Sequence, residues 1–287
     1  MQILITGADG QVGKALQRTA PPAVRVIALG RNHLDITQTA AIRHCLAVHR
    51  PDQLINCAAY TAVDRAEAEP EQARALNAAA PARLARLCRE HQCRLLHLST
   101  DFVFDGTQGR PYRPDDAVNP LSVYGHSKAA GERAVRHASA GQALILRTAW
   151  VYAAEGRNFV TTVLRLLRER EQLTVVSDQI GAPSRADNIA RTLWALTAMP
   201  DACGTLHYTD AGVASWYDFA MAIRDEAEAL GLLGQAAAVA PIPTAAYPTP
   251  ARRPHYSVLD TQATRQLTGL PAPHWRHALI DTLRTLR

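Results

Sequence analysis

Ile3-Leu-Ile-Thr-Gly7-Ala-Asp-Gly10-Gln-Val-Gly13 is the stretch on which the fold turns. A short apolar run with β-branched residues ends in three glycines, and a helical stretch over about 12–19 follows. Glycine permits the tight turn, the close approach of backbone to a pyrophosphate, and tight helix–strand packing. The helix N-terminus then offers unpaired N–H groups and a favourable dipole to phosphates. Three glycines in seven residues are a weak signal alone, and a ligand-free glycine turn is the competing reading. Their place between a strand and a helix gives them weight. Gly7, Gly10, Gln11, Val12 and Gly13 are the first candidate cofactor contacts.

Working outward, the alternation continues. Strands are expected at about 24–29, 53–58, 94–98 and 143–148, and helices at about 39–48, 69–91 and 123–138. Strands that alternate with helices imply βαβ units and a parallel sheet. The strands read as near-continuous apolar runs, as strands covered on both faces do. The expected fold class is α/β, a doubly wound parallel sheet of the dinucleotide-binding type over residues 1–150. Beyond that point the rhythm loosens. Helices are expected at about 159–170, 185–198, 216–230, 261–267 and 274–286, with a strand at 173–176. The five prolines of 241–254 predict irregular chain there. Residues 151–287 read as mainly a smaller substrate-binding cap lobe, with some segments returning to the sheet domain.

The 287 residues are 47% hydrophobic and 20% charged, enough apolar material for a sizeable core, which excludes a disordered or fibrous chain. No apolar run reaches the ~18–20 residues of a membrane span. The N-terminal residues do not read as a signal peptide, so a cytoplasmic protein is expected. The net charge of +5 comes without any cluster of five Lys/Arg, which argues against nucleic acid and membrane surfaces as partners. The five cysteines are odd in number and lack CxxC spacing, so they read as reduced and mostly core.

The GxxGxxG spacing resembles the extended branch of the short-chain dehydrogenase/reductase superfamily. That resemblance predicts a Tyr-x-x-x-Lys motif, and Tyr124-Gly-His-Ser-Lys128 supplies it. The i, i+4 spacing puts both side chains on one helix face. An ammonium beside a phenol is expected to lower the phenol pKa from ~10 toward working pH. The tyrosine then gives a proton to a carbonyl oxygen as hydride reaches its carbon. By the superfamily pattern Thr100 polarises that oxygen, with adjacent Ser99 ranked second and assigned to the cofactor. Asp101 either accepts from a sugar hydroxyl or caps the loop. Ala58 and Ala59, small residues after the third strand, together with Tyr60 and Thr61, should lie along the dinucleotide. Asn77 matches a position where extended reductases steady the active-site loop, or is a helix-surface residue.

Six blocks narrow the resemblance: Ser-Thr-Asp-Phe-Val-Phe-Asp-Gly (99–106), Val-Tyr-Gly-His-Ser-Lys (123–128), Arg-Thr-Ala-Trp-Val-Tyr (147–152), Asn-Phe-Val (158–160), Asp-Gln-Ile-Gly-Ala-Pro-Ser (178–184) and Thr-Pro-Ala-Arg-Arg-Pro (249–254). In this order they resemble the dTDP-4-dehydrorhamnose reductase family over nearly the whole chain. The resemblance implies reduction of the 4-keto group of dTDP-4-dehydro-β-L-rhamnose. Tyr124 would be the proton donor, Lys128 would tune it and hold the nicotinamide ribose, and Thr100 would orient the ketone. Thr100, Asp101, Trp150, Asn158, Gln179, Arg252 and Arg253 would bind the substrate. Trp150, expected after a sixth strand, would pack on sugar or nucleotide, or else in the core. Arg252 and Arg253 would take the diphosphate, or else belong to a solvated basic loop.

An acid at the end of the second strand would favour NAD. Leu29 is followed there by Gly30-Arg31. Arg31 could pair with a 2′-phosphate, so NADPH is expected to be preferred and NADH tolerated, with Asp35 and Ile36 at the adenine edge. Some members of the family bridge a dimer through metal on a glutamate where Ala15 stands here. Alanine offers no ligand, so no metal, and a monomer or weak homodimer, is expected. Two other readings stay in competition. One is a reductase or epimerase of another nucleotide-4-keto-6-deoxy sugar; the other is a non-catalytic NADP-binding regulatory subunit of the same fold.

Overall fold

The computed structural model describes residues 1–234 and 236–286. Among these described residues there are twelve strands: β1 (Gln2–Thr6), β2 (Arg25–Leu29), β3 (Gln53–Asn56), β4 (Arg94–Thr100), β5 (Leu144–Thr148), β6 (Val151–Tyr152), β7 (Gln172–Val176), β8 (Ile180–Gly181), β9 (Ser184–Arg185), β10 (Gly204–His207), β11 (Ala214–Ser215) and β12 (Ala238–Ile242). Six of them make one parallel sheet in the order β10-β5-β4-β3-β1-β2. The strand order reverses direction between β1 and β3, and ligands in such sheets bind beyond the carboxyl ends of the strands at that point.

Helices cover both faces of the sheet. On one face α1 (Gln11–Arg18) and α8 (Ala186–Thr197) share a core with Ile3, Ile5, Leu144 and Leu146. On the other, α2 (Thr39–His49), α5 (Ala80–Glu90) and α6 (Val123–Ala138) enclose Leu4, Leu54, Leu95 and Ile145. Alternate residues of each strand thus feed opposite cores, which is why the strands are apolar throughout. A separate core around Val160, Phe219 and Leu279 joins α7 (Phe159–Glu169), α9 (Trp216–Ala229) and α11 (Trp275–Arg284). The small α10 (Gln262–Thr268) follows β12.

Several expected elements differ. The third strand stops at Asn56, not at 58, because the Asn56 side chain accepts from Ala58 N (3.2 Å) and turns the chain. The long helix expected over 69–91 is α4 (Pro70–Arg74), a single π-turn at Ala75–Ala79 and then α5, with a short α3 (Val63–Ala66) before it. The proline segment is not wholly irregular. β12 runs through Pro241, paired in parallel with β7 at the edge of a two-stranded sheet, where a proline is tolerated. β10 escaped the sequence reading, and it returns the chain to the main sheet beside β5. Trp150 follows the fifth strand, not a sixth.

Candidate active site

Gly7 has a left-handed φ of +68°, and a Cβ there would meet Ala58 N at 2.5 Å. Only glycine serves at that position. A Cβ on Gly13 would meet Gly7 O at 2.3 Å, so α1 starts tightly against the turn. The N-terminus of α1 carries no side-chain cap and no acidic residue in its first turn. Gln11 Oε1 is buried with no hydrogen-bond partner, while its amide reaches Val151 O at 3.4 Å. An uncapped helix start and a glycine cradle fit the pyrophosphate of a dinucleotide, while the orphaned Gln11 oxygen, an acceptor, suits a hydroxyl donor and not a phosphate. Val12 is buried in the sheet core behind that start.

A buried network joins the ends of β1 and β3 to the middle of β4. Thr6 Oγ1 donates to Asn56 Oδ1 at 2.6 Å, and Asn56 Nδ2 meets His97 Nδ1 at 2.9 Å. Ala58 and Ala59 are half-buried beyond Asn56 and Thr61 is exposed, whereas the Tyr60 ring turns away to donate to Glu69. After β2, Ile36 is buried and the Asp35 carboxylate is turned onto Thr37, accepting from its N and Oγ1. Arg31 is exposed after β2.

The expected catalytic residues converge. Thr100 ends β4; its hydroxyl donates to Asp101 Oδ1 at 3.0 Å and accepts from Phe102 N at 3.2 Å. Ser99 lies beside it, buried. Tyr124 sits in the first turn of α6, whose N-cap Ser122 accepts from Gly125 N. A Cβ on Gly125 would strike Phe102 O at 2.3 Å, so glycine inside the Tyr-x-x-x-Lys motif lets α6 close on the loop after Thr100. Phe102 meets the Tyr124 ring edge to face at 5.7 Å. Lys128 is buried one turn on, and its Nζ donates to Leu98 O at 2.7 Å.

Asn77 is fully buried in the π-turn, which excludes the helix-surface alternative. It accepts from Tyr60 N, donates to Tyr60 O and donates to Ser127 Oγ. Ser127 in turn donates to Tyr124 O. The loop after β3 and the catalytic helix are therefore fastened to one side chain.

Charge in the site follows from burial. Burial pushes the Tyr124 phenol up to about 12, with the Thr100 hydroxyl pulling the other way. This corrects the expectation of a phenol lowered toward neutral pH. Burial also brings the Lys128 ammonium down to about 8, opposed by Glu132 and Cys57. Burial lifts the Asp101 carboxyl to about 6; its Oδ2 faces Ser257 without a hydrogen bond of normal geometry. His97 is held neutral by burial, well below the usual imidazole range.

A cleft of about 580 Å³ opens between α7, β7 and α9, lined by Phe159, Val176, Gln179, Trp216, Tyr247 and Arg253. That is the size of a small-molecule site. A narrower hollow lined by Phe102, Trp150 and Ser257 shares Gln179, Trp216 and Arg253 with it. Trp150 stands at φ +46° with its ring stacked on Trp216 at 3.4 Å, so one of its faces is taken by the start of α9. Gln179 is buried and donates to Thr244 Oγ1. Arg253 points both Nη atoms at the Asp64 carboxylate (3.0 and 2.7 Å), while Arg252 is exposed. The Asn158 side chain is spent on capping α7, accepting from Thr161 N and donating to Ala153 O.

Asp64 closes the stretch 56–64 that was expected along the cofactor, and its pairing with Arg253 was not read from the sequence; nor were Trp216, which has no motif of its own, and Asp9. Asp9 sits inside the glycine motif, yet its carboxylate lies over Gly30. A Cβ on residue 30 would fall 1.8 Å from Asp9 Oδ2. The end of β2 thus does carry a carboxylate, contributed from another loop. Ala15 is buried in the core that α1 shares with α8. Among the described residues no group of three His, Cys, Asp or Glu side chains is gathered for a metal, and no helix is long and apolar enough to cross a membrane. The five cysteines are free thiols.

A parallel sheet with a glycine cradle at its switch point, and a Thr–Tyr–Lys set on β4 and α6, define a short-chain dehydrogenase/reductase. The chain also matches the family model described as RmlD substrate binding domain over residues 1–287. It is 40% identical to an Escherichia coli K12 protein named dTDP-4-dehydrorhamnose reductase, covering 100% of this chain and 98% of that one. It is 43% identical to a Streptomyces antibioticus protein named as a probable dTDP-4,6-dihydroxy-2-methyloxan-3-one 4-ketoreductase, covering 98% and 94%. Its fold superposes on the Bacillus anthracis dTDP-4-dehydrorhamnose reductase in complex with NADP, with a TM-score of 0.93, 33% identity and 99% of both chains covered. The chain belongs to the dTDP-4-dehydrorhamnose reductase family.

Proposed function

We infer that the chain reduces the 4-keto group of dTDP-4-dehydro-β-L-rhamnose to dTDP-β-L-rhamnose, the last step of dTDP-L-rhamnose synthesis, with NADPH preferred and NADH accepted. The observation that supports this reading is the convergence of Thr100, Tyr124 and Lys128 at the end of β4 and the start of α6, with the Thr100 hydroxyl beside the Tyr124 phenol. When bound, the nicotinamide supplies the hydride. Thr100 holds the ketone oxygen. Tyr124, protonated at neutral pH because burial has raised it to about 12, gives that oxygen its proton. Lys128 contributes the positive charge that steadies the phenolate left behind. Arg253, fixed by Asp64, and Gln179 face the nucleotide part of the substrate. The protein works in the cytoplasm without metal, as a monomer or weak homodimer.

The test is reduction of the dTDP-4-keto-6-deoxyhexose, followed by cofactor oxidation, with the product configuration read by NMR. Formation of dTDP-L-rhamnose is expected. A different C4 epimer would move the chain to the related 4-ketoreductases. No turnover with cofactor binding intact would favour the regulatory-subunit reading.

A further inference from the structure

The carboxyl end of β2 is where this fold meets the adenosine ribose. Strand residues in that position ordinarily decide between the two nicotinamide cofactors, an acid by accepting from the ribose hydroxyls and an arginine by pairing with a 2′-phosphate. In this chain the position is split between two loops. The turn after β1 is tied to β2 by Ala8 N donating to Leu29 O (3.3 Å), which brings Asp9 over the strand end. There its carboxylate fills the space that a side chain at Gly30 would occupy. An added Cβ would lie 1.8 Å from Oδ2 and 2.5 Å from Cγ of Asp9. A side chain at residue 30 would have to displace the Asp9 carboxylate from this place. Asp9 is nevertheless exposed on its outer side. Next in sequence stands Arg31, also exposed, whose positive charge contributes to holding Asp35 below the ordinary carboxylate range.

We propose that Asp9 is the acceptor for the adenosine-ribose hydroxyls and the determinant of NADH use in this chain, set against Arg31 as the determinant of NADPH use. An anionic oxygen accepts a hydroxyl proton strongly and repels a phosphate dianion. A guanidinium does the reverse of the second. The proposal rests on the reading of the chain as a nicotinamide-dependent reductase, and it names the residue that sets the breadth of its cofactor choice.

The experiment measures the dissociation constants of NADH and NADPH for the purified full chain by calorimetry, without sugar, and then the ratio of kcat/KM values with the keto-sugar. Asp9→Asn is nearly isosteric and keeps the loop packed. It is expected to weaken NADH relative to NADPH by about tenfold or more, the worth of a hydrogen bond to a charged group. Arg31→Ala should move the ratio the other way. The exchange variant Asp9→Gly with Gly30→Asp returns a carboxylate to the strand itself and should bring NADH binding back toward that of the parent. If Asp9→Asn and Asp9→Ala both leave the ratio of dissociation constants within about threefold of the parent, Asp9 is only a solvated loop residue and the proposal is overturned. The binding readout is independent of the sugar. A wrong substrate would therefore abolish turnover and leave the cofactor ratios intact, whereas a wrong role for Asp9 would leave turnover intact and the ratios unmoved.

Discussion

Tyr124 and Lys128 lie one helical turn apart, and burial acts on them in opposite directions. Each is shifted toward its neutral form, the phenol up to about 12 and the ammonium down to about 8. For Tyr124 this is an advantage, since a proton donor must hold its proton at working pH. Tyr124→Phe should cut turnover by roughly 10²–10⁴-fold, with the NADPH dissociation constant little changed, measured by steady-state kinetics and calorimetry on the same preparation. For Lys128 burial sets a limit. Below about pH 8 the side chain is charged; above it the charge is lost, and kcat/KM should fall along an alkaline limb near 8. The effect on stability has the opposite sign. Between about 8 and the ordinary 10.5 the unfolded chain binds a proton that the folded chain does not. Lys128 therefore contributes a stability that rises with pH in that window. A pH series that follows activity and urea midpoint together should show the two diverge. Activity that stays flat to pH 10 would mean that the Lys128 charge is not used.

At the scale of elements, α6 was readable because its signal is local, the i, i+4 pair of Tyr124 and Lys128 within a helical run. The π-turn was not readable, because Ala75–Ala79 is a good helical sequence and the extra residue in the turn is set by what Asn77 must reach. β10 was not readable because four residues, Gly204–His207, carry too little pattern to outweigh their neighbours. Asn158 was read as a substrate contact because it opens one of the six blocks that carry the resemblance, and a residue that caps a helix has the same type. The two roles separate in a pair of variants. Asn158→Ala should cost about 1 kcal/mol of stability, whereas Asn158→Ser, itself a good cap, should cost a few tenths. The keto-sugar KM should remain near the parent value in both. A large rise in KM for the serine variant would restore the substrate role.

The same scale holds the strongest tie between catalytic helix and sheet. Glu132 and Arg147 are both buried, and Arg147 engages it through Nε at 2.8 Å and Nη2 at 2.7 Å. Burial alone would raise the Glu132 carboxyl, but the guanidinium holds it low. A buried pair of this kind adds little over apolar packing, yet removing one partner strands the other. Glu132→Gln should therefore destabilise the chain by roughly 3–5 kcal/mol, read from denaturant midpoints. Because Glu132 also supports the Lys128 charge, the alkaline limb should move to lower pH in whatever fraction stays folded. A shift in stability with an unmoved limb would confine Glu132 to packing.

For the whole molecule, the cleft was not legible in the sequence, since it is lined from α7, β7, α9 and the segment after β12. The link that matters most there is Asp64 to Arg253, which joins the helix after β3 to the segment after β12. Asp64 is held below the usual carboxylate range by Arg253, and its side chain is 42% exposed, so the pair contributes little to stability. Its consequence is orientation. With both Nη atoms toward Asp64, the guanidinium is fixed beside Trp216 and Gln179, where a nucleotide diphosphate would enter. Asp64→Asn removes the charge that aims Arg253 while keeping the shape. It should raise the KM for the keto-sugar and weaken dTDP binding several-fold, with kcat, NADPH affinity and melting temperature close to the parent. Arg253→Ala should produce the same pattern more strongly, and the double variant should equal Arg253→Ala alone. Additive losses in the double variant would show that Asp64 acts on the substrate by some route other than Arg253.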